Sequence, residues 1–217
     1  MTGRRAIALM TLAGTLLFLG AGAVNFAAQA RRRGGPTSVP GWLEGAVTLA
    51  VEMPPDRTSA TITAAGASRE GGLGAEVVAQ NPGTDWLVDK VVSLTSDPKR
   101  PVARVVIDAR SPAEPFIATL ESAGVAVTPC TYADFTSATA AFYDDVVAGR
   151  IVHRNRPELD DAVAHATKRT VGDRWLLDRR TGVDISPITA AVLARWGHLL
   201  DPEPPKAAGF AMILGGS

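Results

Sequence analysis

Beyond residue 41, apolar positions fall into short runs of strand-like spacing, followed by runs of helical spacing. Val47 to Glu52 reads as a strand ending on an acid, and Pro54-Pro55-Asp56-Arg57 turns the chain. Thr58 to Ala64, rich in β-branched residues, makes a second strand and Ala75 to Ala79 a third. Short connections make these three an antiparallel meander. A helix is predicted over Asp85–Leu94 with Thr84 as its N-cap. Val102 to Ile107 is almost wholly apolar, as a strand covered on both faces is, and it runs into Asp108. A helix over Pro112–Ser122, stopped at Gly124, leads to a short strand at Val125–Val127. Residues 131–148 are helical, Ile151-Val152 a small strand, Pro157–Ala166 a short helix and Arg174–Leu177 part of an edge hairpin. The closing helix runs from Pro187, suited to the first helical position, to Leu200.

A three-stranded meander followed by alternating helices and strands is the order of an α/β, ribonuclease-H-like fold. Its mixed sheet, an antiparallel meander plus parallel strands, is flanked by helices. In that fold the first strand is central and the fourth lies parallel beside it, an arrangement in which Glu52 and Asp108 emerge at one carboxyl edge, where open α/β folds place their chemistry. Asp184, just before Ser186-Pro187, opens the last helix behind them. Three converging carboxylates without a cysteine or histidine cluster suit a hard divalent cation, Mg²⁺ or Mn²⁺. Each acid also has a plainer reading: Glu52 as a strand-end acid, Asp108 as a cap for the following turn, Asp184 as a residue at the start of a helix.

Composition narrows the class. Of 217 residues, 46% are apolar and 20% charged, an ordinary globular balance. The single cysteine, Cys130, excludes an intramolecular disulfide and a multi-cysteine zinc site, and its apolar surroundings make it a buried small hydrophobe. Residues 6–30 carry no charge and are flanked by Arg4-Arg5 and Arg31-Arg32-Arg33. This N-terminal apolar helix (residues 1–33 with its flanks) has the length of a membrane span and the parts of a secretory signal; a mis-started reading frame is the competing account. The chain is expected to be cytoplasmic if the run is an artefact and membrane-anchored if it is a real span. Residues 34–44 read as a linker, 45–200 as the folded domain and 201–217 as a Pro- and Gly-rich tail.

Net charge is zero, with 22 basic and 22 acidic residues, but residues 1–33 hold five arginines and no acid. The remainder therefore has 17 basic residues against 22 acidic ones, which is no generic polyanion binder. Within it, the span 150–180 has eight basic residues against five acids. Arg150, His153, Arg154, Lys168 and Arg169 are its candidates for meeting a phosphate backbone, with a solvated helix face as the plain alternative and a structural role as the alternative for His153.

The chain resembles the C-terminal nuclease domain of phage terminase large subunits, in particular those of actinobacterial phages and prophages. The resemblance lies in Leu49-Ala50-Val51-Glu52-Met53-Pro54-Pro55-Asp56-Arg57, Pro82-Gly83-Thr84-Asp85-Trp86 and Val105-Val106-Ile107-Asp108. It continues in Leu120-Glu121-Ser122-Ala123-Gly124-Val125, Ala141-Phe142-Tyr143-Asp144, His153-Arg154 and Lys168-Arg169, then in Gly172-Asp173-Arg174-Trp175 and Val183-Asp184-Ile185-Ser186-Pro187. It covers about residues 45–198. The resemblance implies a metal-dependent endonuclease that cuts concatemeric double-stranded DNA for packaging. It carries a catalytic and metal-ligand role to Glu52, Asp108 and Asp184, with two Mg²⁺ or Mn²⁺ ions on either side of the phosphorus. It further implies a portal and a small terminase subunit as partners. The sequence departs from the family twice. Glu52 stands where the family has aspartate, and no G-x-x-x-x-G-K-[ST] phosphate loop is present, so the packaging ATPase would be a separate chain. A non-catalytic binding protein, anchored or exported, and a degenerate prophage nuclease are the alternatives.

Overall fold

The structure is a computed structural model and describes residues 39–200 except Asn155 and Thr181. The apolar segment 6–30, residues 34–38 of the expected linker and the tail lie outside the described residues. Among those described, no helix is long and apolar enough to cross a membrane.

In chain order the elements are β1 (Leu43–Glu52), β2 (Ser59–Ser68), β3 (Leu73–Pro82), α1 (Leu87–Thr95), β4 (Val102–Asp108), α2 (Phe116–Ser122) and β5 (Val127–Cys130). They continue with α3 (Tyr132–Val147), β6 (Ile151–Val152), α4 (Pro157–His165), β7 (Lys168–Val171), β8 (Arg174–Leu177) and α5 (Ser186–His198). The main sheet has the order β5-β4-β1-β2-β3-β6, and β7 and β8 form a separate antiparallel pair. β1, β2 and β3 are the expected antiparallel meander, and β4 runs parallel to β1. The mixed sheet flanked by helices therefore has the expected class.

The period of two in β1 and β4 sorts side chains between two cores. Leu49, Val51, Val105 and Ile107 pack with Leu87 and Val91 of α1 and Leu120 of α2. Ala50 and Val106 face the other way, toward Phe135 of α3, Leu159 of α4 and the apolar residues of α5. Glu52 and Asp108 continue the Ala50 and Val106 rows, so both acids belong to the face covered by α3 and α5. Val51 pairs with Ile107, which leaves the two acids side by side one residue later.

The last helix lies close on the sheet because its sheet-facing residues are small: Ala190, Ala191, Ala194 and Gly197 are all buried. A Cβ added at Gly197 would press into Val106 Cγ2 and stand 3.0 Å from Thr48 Cγ2. Gly197→Ala should therefore lower unfolding free energy by about 1–2 kcal/mol in a denaturant titration. Overpacking costs about 1–3 kcal/mol and outweighs the roughly 1 kcal/mol gained in helix propensity.

Several boundaries differ from expectation. Val39, Trp42 and Leu43, assigned to the linker, are buried, so residues from Val39 onward belong to the packed unit. Trp42 is the most deeply buried described tryptophan; Trp86, Trp175 and Trp196 are half-buried. Thr84 is no side-chain cap: α1 follows Trp86, and the Thr84 carbonyl accepts the Leu87 N–H instead. α2 starts at Phe116 because Ser111–Pro115 are held in turns, with Ser111 Oγ accepting from Ala113 N. β5 forms at Val127–Cys130 rather than Val125–Val127, in parallel register with β4, which brings Cys130 level with Asp108. A reciprocal Thr131–Asp134 capping box then starts α3.

Candidate active site

Glu52 and Asp108 are 0% and 2% exposed at the carboxyl ends of adjacent parallel strands. Each uses one oxygen on the backbone: Glu52 Oε1 accepts from Met53 N at 3.0 Å and Asp108 Oδ1 from Arg110 N at 2.9 Å. Their other oxygens converge on a single atom. Arg179 Nη2 donates to Glu52 Oε2 and to Asp108 Oδ2, both at 2.7 Å. The Arg179 guanidinium carbon lies 4.7 Å from the centre of the Phe135 ring, and its buried Nε has no acceptor.

Two carboxylates sharing one cation leave one negative charge uncompensated. Burial pushes Glu52 up to about 7, more than the Arg179 guanidinium pulls it down, and the Asp108 charge adds to the rise. Burial favours the neutral form of Arg179, but Glu52 and Asp108 outweigh it and hold the guanidinium above its ordinary value. Burial and the Asp108 charge push the Cys130 thiol up, which makes it a poor nucleophile and an inert packing residue.

Asp184 stands further along the same sheet edge. Its Oδ2 accepts from Ser59 Oγ at 2.5 Å and from Gln80 Nε2 at 3.0 Å, and its Oδ1 from Ser186 N at 2.8 Å. Ser186 Oγ and Thr61 Oγ1 are 2.7 Å apart, and Thr61 is the β2 partner of Glu52. The third acid is thus tied to β2 and β3, on the far side of Glu52 from Asp108. Among the described residues, no three acidic, histidine or cysteine side chains are grouped so as to hold a metal ion together. The donor set fits one hard cation between Glu52 and Asp108: two carboxylate oxygens already aimed at one positively charged atom. It does not fit a second ion shared with Asp184 while Ser59 and Gln80 hold that acid.

Two of the basic candidates lie at the end of the sheet opposite the acids. β6 pairs with Leu73 and Gly74 at the start of β3, whereas Gln80, seven residues on, is level with Thr61 and hence Glu52. At about 3.3 Å per residue that separates them by roughly 20 Å. Arg150, beside β6, pairs with Asp145, and Arg154 pairs with Glu70 and lies over Trp42. These two expected phosphate contacts are therefore directed away from the acids. His153 is largely buried, and burial pushes it down to about 4, so it is neutral at pH 7. Its Nδ1, 3.8 Å from Asp160, makes no ion pair there. Lys168 and Arg169 lie on the strand whose partner, β8, leads into Arg179. Lys168 Nζ is 3.9 Å from the Trp175 ring centre and 4.3 Å from that of Tyr143, while Arg169 is exposed.

Arg179 was not singled out by the sequence beyond its place in the basic span. The only local signal is its position directly after a hairpin strand.

A second buried acid sets a pH dependence away from this site. Burial pushes Glu76 up to about 7, outweighing its acceptance of Arg154 N and its 3.4 Å pair with Arg156. The unfolded chain releases this proton near pH 4.5 and the folded chain only near 7. The contribution of Glu76 is therefore full below about pH 4.5 and is lost as pH rises through about 7. Glu76→Gln should remove a fall in unfolding free energy on the order of 3 kcal/mol between pH 4.5 and 8, measured by denaturation at both pH values. His153 acts in the opposite sense, its contribution being lost as pH falls from 6.5 through about 4.

No protein-family model matches the chain, and no curated protein matches it. Solved structures do. The chain is similar to the large terminase of bacteriophage HK97, with a TM-score of 0.57 and 10% identity over 74% of this chain and 41% of that one. It is also similar to the large terminase nuclease of thermophilic phage G20c, with a TM-score of 0.55 and 14% identity over 76% and 89% of the two chains. A structure of that nuclease with bound magnesium gives 0.56 and 12% identity over 77% and 89%. The chain spans about two fifths of the HK97 protein and most of the G20c nuclease. At these identities the likeness shows the fold: this chain has the architecture of large-terminase nuclease domains.

Proposed function

We propose that this chain is a metal-dependent DNA endonuclease of terminase type, acting on the phosphodiester bonds of concatemeric DNA for packaging. One observation carries the reading: two buried carboxylates at the ends of adjacent parallel strands aim one oxygen each at a single cationic position. The G20c nuclease of the same fold, known with bound magnesium and with bound cobalt, supports a divalent ion there.

In this reading Glu52 and Asp108 hold Mg²⁺ or Mn²⁺, and their backbone contacts to Met53 and Arg110 fix the orientation of both carboxylates. A bound ion supplies an activated water or stabilises charge on the phosphate and the leaving oxygen. Lys168 and Arg169, on the hairpin that delivers Arg179, position the DNA backbone without reading sequence. Asp184 completes a two-ion site only after releasing Ser59 and Gln80; otherwise it braces the start of α5 against β2 and β3. The packaging role implies a packaging ATPase, a portal and a small terminase subunit as partners, and action in the host cytoplasm. The folded domain, expected over residues 45–200, is extended to take in the buried Val39, Trp42 and Leu43.

A second reading, a nuclease remnant that no longer cuts, draws on the guanidinium lodged between the acids and on glutamate at position 52. Plasmid cleavage by the full-length chain separates the two. The nuclease converts supercoiled DNA to nicked or linear forms with Mn²⁺ or Mg²⁺ and not with EDTA. A folded protein that leaves plasmid intact in all three conditions is the remnant.

A further inference from the structure

Arg179 differs from a structural ion-pair partner in the way it meets the acids. Arginine–carboxylate pairs built for stability commonly present two parallel N–H groups to one carboxylate. Here one nitrogen, Nη2, serves two carboxylates, and Nε is buried without an acceptor. The acids do not rely on Arg179 for their orientation, because Met53 N and Arg110 N each hold their other oxygen. Charge is also mismatched: two carboxylates face one positive charge, whereas a divalent ion would balance both. The arginine follows a two-stranded element that is not part of the main sheet, and its side chain is 20% exposed, so it has a route to solvent.

We propose that Arg179 is a built-in occupant of the cation position: its guanidinium and a divalent metal ion compete for Glu52 Oε2 and Asp108 Oδ2. This inference rests on the metal-dependent reading above and adds a control to it. Metal uptake requires expulsion of Arg179, and the released guanidinium is then free to meet a phosphodiester, whose oxygens suit its paired N–H groups. The chain without metal keeps its acids screened, and the site becomes competent only when ion and arginine exchange places.

Mn²⁺ binding to the full-length chain, followed by the electron paramagnetic resonance signal of the free ion, tests the competition. Arg179→Gln should bind Mn²⁺ at least about tenfold more tightly than wild type, because no charge-assisted hydrogen bonds have to break before the ion enters. Equal or weaker binding by a variant with native circular dichroism overturns the proposal. A measurement on wild type alone covers the case in which the variant fails to fold. Phenylglyoxal modification at Arg179, read by peptide mass spectrometry, should be slow in EDTA and several-fold faster in saturating Mn²⁺; unchanged or slower reaction also overturns it. Mn²⁺ uptake that Asp108→Asn abolishes, but that is equal in wild type and Arg179→Gln, removes this inference and leaves the metal-dependent function standing. No Mn²⁺ uptake by either protein removes both.

Discussion

Asp108→Asn should lower Mn²⁺-dependent DNA cleavage by at least about a hundredfold while leaving the fold intact. The substitution keeps the shape of the side chain and an oxygen able to accept from Arg110 N, so the turn after β4 survives. What it removes is one of the two charges aimed at the cation position. Disturbing the groups that merely orient a metal ligand costs about 10–100-fold in affinity or activity, and loss of a direct ligand should cost more. In the proposed reading the loss falls on turnover and metal affinity rather than on DNA binding, which that reading assigns to Lys168 and Arg169 on the hairpin. Single-turnover nicking of supercoiled plasmid, beside a filter-binding titration in EDTA, checks both halves. A variant that cuts as fast as wild type removes Asp108 from the chemistry.

Arg179→Gln should destabilise the fold by taking away the counter-charge that Glu52 and Asp108 share. Breaking a buried ion pair by removing one partner costs about 3–5 kcal/mol, since the other charge stays buried and uncompensated. The loss here should be nearer 2 kcal/mol at neutral pH, because Arg179 is 20% exposed and Glu52, already pushed up to about 7, can take a proton in its place. Denaturant titration in EDTA measures this value. Repeating it with millimolar Mn²⁺ should recover most of the loss, as the ion takes over the role of counter-charge. A variant as stable as wild type in EDTA would show that the guanidinium contributes nothing to holding the two acids together.

These effects concern residues of unequal visibility in the sequence. Glu52 and Asp108 were legible because each ends a strand whose alternation sets its face. The ribonuclease-H-like fold expected for this element order has the fourth strand beside the first, as β4 and β1 are, and the common face of Ala50, Glu52, Val106 and Asp108 follows from period two. The closing helix was legible through its three- and four-residue apolar spacing and Pro187 at its start.

The partners of the acids were not legible, because they depend on long-range geometry. Asp184 was expected to open the last helix behind the other two acids, but its hydrogen bonds reach Ser59 and Gln80, 125 and 104 residues away, and no local pattern encodes them. Arg179 follows a hairpin too short for periodicity to say where its side chain points. Arg150 and Arg154 share a basic span with Lys168 and Arg169, yet β6 pairs at the start of β3 and takes them to the opposite end of the sheet. Charge density along a chain says nothing about which end of a strand it will face. The expected N-cap at Thr84 failed for a local reason: the segment before α1 is held by a backbone turn from Leu87 N to the Thr84 carbonyl and by Trp86 Nε1 donating to the Gly83 carbonyl, 3.1 Å away.

The central claim is that Glu52 and Asp108 together hold one divalent ion. Iron-directed backbone cleavage tests it most directly, since Fe²⁺ bound at a Mg²⁺ or Mn²⁺ position produces radicals, with ascorbate and peroxide, that cut the nearest chain. The account predicts cuts beside residues 52 and 108 in the full-length protein, suppressed by excess Mg²⁺ and absent from Asp108→Asn. Cuts confined to other parts of the chain, or cuts at these strand ends that persist in Asp108→Asn, would contradict it.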